Sequence, residues 1–148
     1  QKGESAMSAR KLDEASGQFR TALKQAPRDY AANLRMAQCL QAQGKTADAI
    51  AYVDNARSIY PQEAQSHKLT ATLALQQRKP QAALQALNTF DRLLPGDSGV
   101  TFLKGASLEA MGQREPAAQH YARYLQQVRS GDASQHAYTR LKAWGYAK

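Results

Sequence analysis

The sequence is short of the features that mark several large classes of protein. It holds a single cysteine, Cys39, so no intramolecular disulfide can form and a cysteine-based zinc site has no second thiolate to use. No apolar run approaches the ~20 residues that a membrane-spanning helix needs. No signal peptide is visible. Valine, isoleucine and phenylalanine are scarce, which argues against a β-rich core. The formal charge is +8, yet the basic residues are scattered. No block of like charges marks a nucleic-acid arm or a membrane anchor. The positive field favours anionic partners through long-range steering, and a nucleic acid is not the expected one. No H-E-x-x-H motif and no glycine-rich phosphate loop occurs.

Alanine, glutamine, leucine, lysine and arginine fill the chain instead. All are good helix formers that lose little rotamer freedom in a helix. At 148 residues, 43% hydrophobic and 22% charged, the composition fits one folded domain of ordinary size. Four alanines recur every 34 residues, at Ala15, Ala49, Ala83 and Ala117. Four positions after each stands a larger apolar side chain: Phe19, Val53, Leu87 and Tyr121. Pro27, Pro61 and Pro95 keep the same interval, and so does a second small-residue column, Gly3, Ala37, Ala71 and Gly105. Antiparallel helices approach closely only where side chains are small. The residue four positions on shares the alanine's face and fills the gap to the next helix. The proline ends the second helix of each pair. A heptad seam would run through the turns without regular proline breaks.

These residues resemble the tetratricopeptide repeat (TPR) family, whose period and A-x3-F…P pattern they share. Asp13-Glu14-Ala15 through Phe19, Ala22 and Pro27 is close to that family's second helix. Gln43-Gly44-Lys45 and Met111-Gly112-Gln113 look like its intra-repeat turn. The resemblance implies an all-α fold, a right-handed superhelical αα solenoid of about four repeats plus a C-terminal capping helix. The repeats would span residues 1–131, divided as 1–29 (truncated), 30–63, 64–97 and 98–131, and residues 132–148 would cap them. The expected helices are Lys2–Arg10 and Leu12–Gln25, then Tyr30–Gln43, Thr46–Ile59, Ala64–Gln77, Pro80–Leu93, Ser98–Met111, Glu115–Val128 and Ala133–Gly145. Pro80 suits a first helical turn, and Asp132 is expected to cap the last helix. That helix would cover the apolar face repeat four leaves open. The register places the start of the first repeat about five residues before Gln1. The segment is therefore expected to belong to a longer polypeptide.

In this family the first helices line a concave face. Carried onto this sequence, the register gives a partner-binding groove of Leu34, Gln38 and Gln41, then Lys68, Thr72 and Leu75, then Phe102, Ala106 and Glu109. The last helix adds His136 and Arg140. Such a mixture of apolar, amide and charged groups suits an extended or helical peptide. Phe102 is the expected anchor, with Phe102→Ala or Lys68→Glu weakening a partner with little effect on melting temperature. The family's clamp for a C-terminal carboxylate is missing, because its positions hold Leu34, Gln38, Leu69, Gly99 and Leu103.

Catalysis finds little support. His67, His120 and His136 are not at metal-ligand spacing, and His67 falls at a packing position. Cys39 lies inside an expected helix and reads as an inert packing residue. Glu14, Glu63, Glu109 and Glu115 form no evident acid pair. Tyr121, Tyr124, Tyr138, Trp144 and Tyr146 make the C-terminal third aromatic, with Tyr121, Tyr124 and Tyr138 expected in end-cap packing. No enzyme activity, metal or cofactor is expected of this segment; the expected partner is a protein or peptide. The tail from Tyr124-Leu125-Gln126-Gln127-Val128-Arg129 through Arg140-Leu141-Lys142-Ala143-Trp144-Gly145-Tyr146 also resembles the end of BepA-like bacterial zinc metalloproteases. That resemblance implies an accessory role, in recognising substrates or partners or in regulating the protease by covering its active site, and a periplasmic or cell-envelope location. A third reading, RNA binding by helical repeats, predicts steep salt dependence.

Overall fold

A computed structural model describes residues 2–148, with side chains from Ser8 onward. It contains eight helices and no strand among the described residues: α1 (Lys2–Gln25), α2 (Tyr30–Ala42), α3 (Thr46–Ile59), α4 (Ala64–Gln76), α5 (Pro80–Leu93), α6 (Ser98–Ala110), α7 (Arg114–Gln127) and α8 (Asp132–Ala143). None of the described helices is long and apolar enough to cross a membrane. The Cα positions divide into two compact units, one ending at Leu73 and the other beginning at Ala74, so the division falls inside α4.

The recurring small residues are buried. Ala49, Ala83 and Ala117 are fully inaccessible, and so are Ala37 and Ala71. Gly105 is buried as well, Ala15 is half-buried, and Gly3 falls outside the described side chains. In the first unit Ala37 and Val53 share a core with Met36, Leu40, Ala49, Leu69 and Leu73, and Phe19 and Leu23 of α1 pack on it. Each fully buried aliphatic side chain here contributes roughly 1.5–3 kcal/mol. The core of the second unit's C-terminal end joins Tyr121 and Tyr124 of α7 to Ala137 and Leu141 of α8.

Each helical pair turns in the same way. Gly44, Arg78 and Gly112 all take left-handed φ, at +78°, +60° and +77°. After each, an amide closes back five residues: Lys45 N–H to Leu40 O, Lys79 N–H to Ala74 O and Gln113 N–H to Leu108 O. This pattern satisfies carbonyls that a helix end would otherwise leave open. The corresponding residue one period earlier is Arg10, and there the expected turn does not form. Lys2–Arg10 and Leu12–Gln25 are one continuous helix, α1. Arg10, Lys11 and Leu12 all favour helix, and neither glycine nor proline interrupts them, whereas Pro80 disfavours helix at Lys79 beside the turn at Arg78.

The connections between pairs are tied by side chains. Asp29 and Asp97 cap α2 and α6, accepting from Ala32 N–H at 2.9 Å and Val100 N–H at 3.0 Å. One turn further in, Asn33 Nδ2 donates to Pro27 O at 3.1 Å, and His67 Nε2 bonds Pro61 O at 2.7 Å. His67 is thus the satisfied interior histidine expected. Ser134 Oγ donates to Val128 O at 2.8 Å in the same six-residue relation. Asp132 does not cap α8. Gly131 holds that place at φ +108°, a conformation unsuited to aspartate, and Asp132 falls in the first turn.

Candidate functional site

The groove residues of the first unit lie on α2 and α4. Gln38, Gln41, Lys68 and Thr72 line one open depression of ≈ 200 Å³ together with Gln65 and Leu69. Gln41 Nε2 donates to Thr72 Oγ1 at 2.9 Å, and that hydroxyl donates to Leu69 O at 3.0 Å. The helical spacing of Gln38 with Gln41, and of Lys68 with Thr72, brings each pair to one face. Leu34 is not part of this lining; it packs, half-buried, on the unit's core. Amides, a hydroxyl and an ammonium over an apolar floor offer hydrogen bonds to a peptide backbone.

Leu75, Phe102, Ala106, Glu109, His136 and Arg140 belong to the second unit. Leu75 and Ala106 are half-buried. Phe102 is not an open anchor. Its ring centroid lies 5.6 Å from Tyr121, 5.2 Å from Tyr124 and 5.8 Å from His136, within the aromatic core of α6, α7 and α8. The expectation that Phe102→Ala would spare stability therefore fails. The reason is that Tyr121 and Tyr124 are both aromatic and pack against the Phe102 ring.

Glu109 is not an isolated surface carboxylate. Tyr121 Oη donates to its Oε1 at 2.6 Å, Arg140 Nε forms an ion pair with Oε2 at 2.8 Å, and His136 Nε2 stands 3.5 Å from Oε1. Burial, then the hydrogen bond to Glu109 and its negative charge, push the Tyr121 phenol well above the ordinary tyrosine range, against a smaller opposing effect of Arg140. Beyond Glu109, the Arg140 guanidinium lies 5.0 Å from the centroid of the Trp144 indole and that of Arg114 lies 5.7 Å from it. Sequence reasoning found Glu109 and Arg140 but missed Arg114 and Trp144. The only available signal was that Glu109, Gly112 and Arg114 flank one turn.

Of the remaining polar candidates, Cys39 is buried, and that burial raises its thiol pKa, the opposite of an activated nucleophile. His120 Nδ1 bonds Pro116 O at 2.9 Å. Tyr138 is exposed rather than packed, and its hydroxyl donates to Lys148 O at 2.8 Å. Among the described residues, no three His, Cys, Asp or Glu side chains converge as a metal site.

Paired helices with one turn geometry and one register of small residues define an all-α helical-repeat protein. Residues 6–73 match the family model for the tetratricopeptide repeat. No curated protein matches it by sequence. Among solved structures it is similar to MamA, with a TM-score of 0.80 and 18% identity over 97% of this chain and 85% of MamA. It is also similar to TTC0263, a thermophilic TPR protein in Thermus thermophilus, with a TM-score of 0.78 and 16% identity over 97% of this chain and 80% of that one. YrrB, described as a TPR protein with an unusual peptide-binding site, gives a TM-score of 0.66 and 16% identity over 73% of this chain and 56% of YrrB.

Proposed function

We propose that the chain is a binding module that holds a segment of another polypeptide. The observation that carries this reading is the depression on α2 and α4, where Gln38, Gln41, Gln65, Lys68 and Thr72 surround Leu69. Apolar contact with Leu69 would supply affinity, and the amides would pair with the guest's backbone. The fold supports the same reading, since a structurally similar TPR protein carries a peptide-binding site.

The test is capture of partners by the intact protein, compared with the same protein carrying Gln38→Ala and Lys68→Glu. Both positions are at least partly accessible, so circular dichroism and melting temperature should change little. Loss of the captured proteins supports the module. Retention of all of them in the double variant removes the α2–α4 surface from the reading. Capture of single-stranded RNA that fades steeply with salt would replace a protein guest with a nucleic acid.

A further inference from the structure

A second depression, of ≈ 180 Å³, opens in the C-terminal unit and is lined by Glu109, Gly112, Arg114, Arg140 and Trp144. Two guanidiniums lie over one indole there, at 5.0 and 5.7 Å from its centroid. The Tyr121 ring stacks with the same indole, 6.1 Å away at 21°. Arg140 is held by Glu109, with its Nε on Oε2. Arg114 has its aromatic contact and no anionic partner among the described residues. Two cations and one carboxylate leave a net positive charge in a small space, and the two guanidiniums repel across it. A Cβ on Gly112 would meet nothing within 4 Å, so the space above the turn is open.

We propose that this pocket receives a carboxylate of an acidic peptide. Arg114 is the binding arm, Arg140 fixed on Glu109 is the second donor, and Trp144 is the platform that orients both. The planar fork of a guanidinium matches the two oxygens of a carboxylate, and stacking on an aromatic face preorganises it. The inference rests on the peptide-binding reading above and gives that guest a chemical class.

Trp144 is the only tryptophan, so its fluorescence reports on the pocket directly. Four probes are titrated at matched ionic strength. They are acetylated tetraglutamate amide, acetylated tetraglutamine with a free C-terminus, acetylated tetraglutamine amide, and inorganic phosphate. The result expected is a saturable change with one or both carboxylate peptides and none with the tetraglutamine amide. The two carboxylate arms separate a side-chain source from a terminal one. Arg114→Gln should weaken binding about tenfold, the worth of one charge-assisted hydrogen bond, while Arg114→Lys should weaken it less. Silence with both carboxylate peptides, an equal response to the amide, saturation by phosphate alone, or unchanged affinity in Arg114→Gln would each overturn the assignment. If Trp144 is silent while partner capture still depends on Gln38 and Lys68, this pocket alone is refuted and the module stands.

Discussion

A Cβ placed on Gly105 would stand 2.7 Å from Cε1 and 2.8 Å from Cδ1 of Tyr121. The ring cannot retreat without leaving Glu109 and the stack with Trp144. Alanine normally gains about 1 kcal/mol over glycine inside a helix, but overpacking costs about 1–3 kcal/mol. Gly105→Ala should therefore lower stability in urea titrations, and the same change should cost less in a Tyr121→Val background, where the clashing ring is gone. Phe102→Ala should cost roughly 2 kcal/mol, below the figure for a fully buried phenylalanine, and show as a lower melting temperature. The raised Tyr121 phenol gives a pH dependence with a definite sign. The unfolded chain ionises this tyrosine near its ordinary pKa of about 10, whereas the folded protein keeps it neutral. The unfolded state then binds fewer protons, so this contribution is complete below about pH 10 and is lost as pH rises beyond it. Urea stability of the wild type should fall between about pH 9 and pH 11, and more gently in Tyr121→Phe. The small-residue column was legible in the sequence. That glycine is obligatory at Gly105 was not, because the clash depends on the orientation of a ring on another helix.

Helices α2 to α8 were legible to within about two residues, because proline, glycine and the apolar period punctuate them at every repeat. The exception is α1, where the turn residue is Arg10. Arg78 shows that arginine can occupy that place, at φ +60°, so residue type alone does not decide whether a hairpin turns there. Gly44→Ala should cost about 1 kcal/mol, the ordinary penalty of a side chain in the left-handed region, whereas Arg78→Gly should be neutral or slightly stabilising. The aspartate caps belong to this scale too. Asp29→Ala should destabilise the protein by about 1 kcal/mol, and amide exchange should quicken first at the start of α2. A pronounced loss of protection in α7 from the same change would contradict a local role for that cap.

The chain divides into two compact units within α4, and helical-repeat proteins are stabilised mainly through neighbouring elements. Gly105→Ala should accordingly quicken amide exchange in α6–α8 well before α2 and α3, and uniform loss across the chain would mean a single cooperative block. The binding surfaces were less legible than the fold. The family's register, carried onto this sequence, set Gln38, Gln41, Lys68 and Thr72 on one surface, and the four line one depression. It misjudged Phe102 and overlooked Trp144, because both depend on how an unusually aromatic α7 meets α8. The side-chain ties at the proline connections carry a further consequence, for anyone recombining such repeats. Asn33 and His67 reach back across the linker to Pro27 and Pro61, so a splice at the linker separates a donor from its acceptor.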